Sequence, residues 1–180
     1  DRPDGCLLID GLASAAFPDA AQALLRAPPG GAESGLLIYL HGFGNCIYNG
    51  LAPLRGPCPH GVRPDASANL LAQLDEVGCP ALLLLPEIHA HQQRGAPGAL
   101  AEPGAGARLV DEVLAAADID ARAESLPRVV LASHSGAYQA AAALLQGGAA
   151  TWIQEVFLLD SLYGHEGDFI NLVAHHAAEY

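Results

Sequence analysis

The sequence predicts an α/β protein in three layers, a mostly parallel sheet with helices on both faces. Two features carry that prediction. Short unbroken apolar runs of strand length, such as Leu36–Leu40 and residues 81–85, fit strands buried on both faces. Each is followed by a segment whose apolar residues recur at helical spacing, and that alternation is the signature of strand–helix units stacked into a parallel sheet.

Taken in order, residues 1–34 form a lead-in to a single domain spanning 1–180. Cys6-Leu7-Leu8-Ile9 reads as an edge strand and residues 20–26 as a short helix, before Pro28-Pro29-Gly30-Gly31 breaks the chain. The first core strand, Leu36–Leu40, runs into His41-Gly42-Phe43-Gly44. A helix over 67–77 follows, with Leu70, Leu71, Leu74 and Val77 on its inner side, stopped by Gly78 and Pro80. Residues 81–85 are the second core strand. The helix over 107–117 turns Leu109, Val110, Val113 and Leu114 inward and leaves Asp111 and Glu112 to water. Residues 128–133 form the third core strand, and an alanine-rich helix runs from Ser135 through Leu145 to Gly147-Gly148. The fourth spans 152–160, and a last helix carries Phe169, Val173, His176 and Tyr180 on one stripe. The long connections 45–65 and 86–106 are rich in Gly and Pro and read as irregular pocket walls.

Ser135 sits where the third core strand meets its helix, in Ser133-His134-Ser135-Gly136-Ala137. Turning from strand to helix so quickly forces the central residue into a strained conformation and admits only small residues two positions away. Ser133 and Ala137 satisfy that limit. Ser133 itself does not fit the central position, because Leu131 would then occupy a small-residue place. A serine capping an ordinary helix is the competing reading. Upstream, His-Gly-Phe-Gly follows a buried strand, where backbone N–H groups can face a carbonyl oxygen that gains negative charge in acyl transfer. Gly42 and Gly44 let that backbone approach a substrate without interference from a Cβ.

With these two motifs in this order, the chain resembles the α/β-hydrolase superfamily from about Leu36 to Asp160, without the usual glycines at positions 133 and 137. The resemblance implies Ser135 as nucleophile and the amides of Phe43 and Gly136 as an oxyanion hole, with an acid and a histidine to follow. Asp160, at the end of the fourth core strand, is the expected acid. His165 is the nearest histidine on that edge and is taken as the base, although superfamily members place theirs after a last strand that this chain does not reach. The sheet is therefore expected to lack its C-terminal strands, with a missing C-terminal segment or a second chain completing the fold. His41, Gly42, Tyr48, His89 and His134 are expected to line the substrate pocket. His89 and His91, with Glu87 nearby, have the alternation of a metal pair but no third ligand, so no metal and no cofactor are expected.

Composition narrows the partners. A net charge of -12, with 8 basic residues and no lysine among them, argues against nucleic acid and anionic membranes. No run of about 18 apolar residues marks a membrane span. Four cysteines permit three pairings, and Cys46 and Cys58 bracket a loop with little regular structure, so a bridge between them is expected. Cys6 and Cys79 would form a second bridge or remain free thiols. With no initiator methionine, these features suggest a mature secreted or periplasmic protein. The expected activity is cleavage of an ester or related acyl bond in a small or lipid-like substrate, through an acyl-serine intermediate. A peptidase or thioesterase would use the same parts, and a non-catalytic module using that sheet edge for binding is the alternative of a different class.

Overall fold

A computed structural model describes residues 5–28, 35–51, 69–88 and 96–177. Its strands are β1 (Cys6–Asp10), β2 (Gln22–Arg26), β3 (Leu36–Leu40), β4 (Leu82–Pro86), β5 (Val129–His134) and β6 (Glu155–Leu159). They form one sheet in the order β1-β2-β4-β3-β5-β6. The four strands from β4 to β6 are parallel, while β2 lies antiparallel to both β1 and β4. The helices are α1 (Ile47–Leu51), α2 (Leu70–Glu76), α3 (Ala105–Ala116), α4 (Tyr138–Gln146) and α5 (Glu166–Ala177).

The four leucines of β4 show why the apolar runs are unbroken. All are buried, and successive side chains point to opposite faces. Leu82 and Leu84 join the core under α3, α4 and α5, whereas Leu83 and Leu85 join the core under α1 and α2. Both faces are covered, so neither needs polar residues in alternation. Helix α4 lies within its layer with Ala140, Ala141 and Ala142 fully buried, and α3 packs closely against it. A Cβ on Gly106 of α3 would come within 2.8 Å of Leu144 Cδ2.

Several expectations need correction. The short helix expected over 20–26 is strand β2: a short apolar run is ambiguous by period, and pairing with two neighbours decides it. Loop 45–65 begins with helix α1, whose Ile47 and Leu51 are buried. Helix α2 ends at Glu76, leaving Val77 exposed beyond it. The fourth core strand starts at Glu155, after a 3-10 turn over Ala149–Thr151. In α5 the inward residues are Phe169 and Leu172, while Val173 faces outward. Asp111 and Glu112 do more than solubilise α3. Asp111 accepts the Ala123 N–H at 2.8 Å, and Glu112 accepts those of Ala13 and Ser14 at 2.7 and 2.8 Å.

At the open edge of the sheet, Phe157 and Leu159 of β6 are about half exposed. With Leu37, Tyr39, Val130 and Ala132 they border an apolar groove of about 390 Å³ on the α1/α2 side. Ser135 is not among the residues that border it. Among the described residues, no helix is long and apolar enough to cross a membrane.

Candidate active site

Strand order concentrates the chemistry. From β3, one crossover leads to β4 on one side of the sheet, and the chain later returns to β5 on the other. Ligands of open α/β sheets bind at such a reversal, beyond the carboxyl ends of the strands. Leu40 pairs with Ser133, which sets the His-Gly-Phe-Gly loop beside the turn at Ser135. The end of β4 delivers Glu87 to this edge, and the end of β6 delivers Asp160 and Ser161.

Ser135 has a positive φ of 52°, between extended His134 and a 3-10 turn over Ser135–Ala137 that leads into α4. A non-glycine residue in this region is strained by about 1–3 kcal/mol and persists only where its surroundings hold it. Gly42 is part of that hold. A Cβ there would lie 2.8 Å from His134 Nδ1 and 3.1 Å from Ser135 Cβ, so only glycine lets the two loops approach this closely. Gly136 faces Phe43 across the gap, where its own Cβ would stand 3.8 Å from the Phe43 amide nitrogen. Ser135, Gly136, Phe43, Tyr138, Gln139 and Tyr163 border a cleft of about 490 Å³. The side chains of Phe43 and Tyr163 are largely exposed at its rim.

Asp160 and His165 lie on this edge but are not joined. Asp160 is exposed, has φ 47°, and accepts a hydrogen bond from the Tyr163 hydroxyl at 2.7 Å. That bond raises the Tyr163 phenol above its ordinary pKa, so Tyr163 stays a donor at neutral pH. His165, also exposed, has its Nδ1 3.0 Å from Asp168 Oδ2 at the start of α5. Among the described residues, no hydrogen bond links His165 to Asp160 or to Ser135. Four residues separate Asp160 from His165, and His165, with a φ of 61° just before α5, has its carbonyl accepting the Asp168 N–H and its imidazole beside the Asp168 carboxylate. Its ring centroid is 6.0 Å from that of Tyr138, which itself borders the cleft.

His41 is not on the pocket surface. It is buried beneath the loop, with Nε2 2.6 Å from Oε1 of equally buried Glu87 and Nδ1 3.2 Å from the Gly42 carbonyl oxygen. Glu87 Oε2 accepts the Ile47 N–H at 3.3 Å. One carboxylate thus ties β4 to the β3 loop and to α1. His134 is partly exposed and packs against Gly42, and Tyr48 is half-buried against the core under α1 and α2. His89, His91 and Cys58 lie outside the described residues. Cys46 is buried, whereas Cys6 and Cys79 are free thiols and do not form the second bridge.

Sequence reasoning missed two features of the site. One is the His41–Glu87 pair, whose members stand at the ends of adjacent strands. The other is Ser161, which is 1% exposed, donates to the Ser135 carbonyl oxygen at 2.8 Å, and lies 2.9 Å from the Ser133 hydroxyl. Its one visible signal is its place directly after Asp160 at a strand end.

No protein-family model matches the chain, and no curated protein matches it. Solved structures do match it in shape. An acetyl xylan esterase from Aspergillus awamori is 13% identical, with 83% of this chain and 50% of that one covered and a TM-score of 0.49. The esterase Est22 is 21% identical over 85% of this chain and 43% of its own, TM-score 0.46. Brefeldin A esterase, a bacterial homologue of human hormone sensitive lipase, is 17% identical over 93% and 45%, TM-score 0.44. The chain spans half or less of the length of these three structures. By its strand order, its two helical layers and its strand–turn–helix bend at Ser135, this chain has an α/β-hydrolase-like fold.

Proposed function

We propose that this protein is a secreted or periplasmic serine hydrolase that cleaves an ester or related acyl bond, with Ser135 as its nucleophile. One observation carries the reading: Ser135 is a strained, non-glycine residue on the wall of a cleft that it shares with Phe43 and Gly136. In the reaction, Ser135 Oγ attacks the acyl carbon and loses its proton to a base. The amides of Phe43 and Gly136 stabilise the oxyanion, and the leaving alcohol departs to give an acyl-serine that water then hydrolyses. Phe43, Tyr138 and Tyr163 favour an uncharged substrate with an apolar portion. Asp160 is the acid of this scheme.

The base is either His165, after release from Asp168, or a histidine carried by chain that covers the open edge of β6. The half-exposed Phe157 and Leu159 on that edge favour the second source. An even cysteine count supports export, with Cys46 and Cys58 bridged. A second reading, a binding module that keeps Ser135 only for the turn, is favoured by the engagement of His165 elsewhere.

A fluorophosphonate probe followed by peptide mass mapping separates the two. The hydrolase reading expects an adduct on Ser135. Folded protein that takes no label at that residue would leave only the binding module.

A further inference from the structure

We propose that Ser161 is a positioning residue that aims the Gly136 amide into the cleft, a role that rests on Ser135 being the nucleophile. The argument begins with peptide planarity. The Ser135 carbonyl and the Gly136 N–H belong to one rigid trans unit and point in opposite directions, so whatever holds the oxygen also sets the direction of the N–H. A carbonyl oxygen has two lone pairs. That of Ser135 accepts the Tyr138 N–H at the end of the 3-10 turn and the Ser161 hydroxyl at 2.8 Å.

The direction of the remaining bond follows from proton count. Ser161 has a single hydroxyl proton and gives it to a carbonyl that can only accept. The 2.9 Å contact between the two hydroxyls is therefore a donation from Ser133 to Ser161. Ser133 is fully buried on β5, and Ser161 is 1% exposed beside the end of β6, so water does not compete for either bond. The chain Ser133 to Ser161 to Ser135 carbonyl joins two strands to the strained bend. Ser133 and Ser161 are not among the residues that border the cleft, whereas Gly136 is, and its N–H points away from the bond that Ser161 makes to the Ser135 carbonyl.

The test uses the full chain, a p-nitrophenyl ester as substrate and a trifluoromethyl ketone whose hemiketal adduct with the serine hydroxyl carries an oxyanion. Ser161→Ala misaims a donor without removing it, so kcat should fall about tenfold, below the loss seen when an oxyanion donor is deleted. KM should stay within twofold, while affinity for the ketone should fall in step with kcat. A fold-wide effect would not split kcat from KM in this way. Ser133→Ala, which frees the Ser161 hydroxyl from its anchor, should show the same split at about threefold, and it decides the matter if Ser161→Ala does not fold. A folded Ser161→Ala protein with wild-type kcat and ketone affinity overturns this role while leaving the hydrolase reading intact. Absence of any probe adduct on Ser135 in the wild type overturns both.

Discussion

Replacing Glu87 with alanine should be among the most damaging single changes in this chain, and the reason is quantitative. Glu87 and His41 are 2% and 1% exposed, and the carboxylate holds His41 Nε2 at 2.6 Å and the Ile47 N–H at 3.3 Å. Removing the carboxylate takes the short Nε2 partner from His41 and the acceptor from the Ile47 N–H, while Nδ1 keeps the Gly42 carbonyl; breaking one side of a buried pair in this way costs about 3–5 kcal/mol. For a protein of this size each kcal/mol lowers the thermal midpoint by about 2–4 °C, so Glu87→Ala should lose about 6–20 °C. Glu87→Gln keeps the shape and one accepting oxygen and should cost about 1–3 kcal/mol, the range for one weakened hydrogen bond to a charged group. Replacing both members with leucine should cost much less than Glu87→Ala, because the expense lies in the orphaned partner rather than in the lost attraction. Urea denaturation of the four proteins, compared at constant m-value, measures these terms. A Glu87→Ala protein within about 1 kcal/mol of wild type would show that His41 finds water or another partner, and would refute the reasoning.

Ser135→Gly should abolish probe labelling yet raise stability by about 1 kcal/mol, since glycine adopts a φ of 52° without strain and loses only part of that gain to its more flexible unfolded chain. Equal or lower stability in denaturant would show that the serine is unstrained. At Glu112 burial pushes the pKa up, but the Ala13 and Ser14 donations outweigh it and hold the carboxyl below its ordinary value. Its stabilisation is therefore complete above the unfolded-state pKa and disappears as pH falls through the lowered folded one. The stability gap between wild type and Glu112→Gln, measured by denaturation from neutral to acidic pH, should close in acid; a pH-independent gap contradicts this. Alkylation of unreduced, unfolded protein should modify Cys6 and Cys79 and spare Cys46. Modification of Cys46 would exclude its bridge to Cys58. In the folded protein Cys6 should react slowly, because burial raises its thiol pKa.

What the sequence by itself determined is whatever a few neighbouring residues can express. Unbroken leucines announced β4, because a strand covered on both faces has no use for a polar period. Small residues at 133 and 137, with glycine at 136, announced the bend at Ser135, because sterics act over two or three positions. Only the tertiary structure decided matters that depend on distant partners. Gln22–Arg26 is a strand because β1 and β4 flank it, and nothing within those five residues excludes a helix. Glu87 meets His41, and Ser161 meets Ser135, because parallel pairing aligns the ends of strands that lie far apart in the chain. His165 turns to Asp168 rather than Asp160 because its first hydrogen-bonding choice is the helix it precedes. Local sterics are written in local sequence, whereas a hydrogen bond between remote side chains exists only after the sheet has chosen its order.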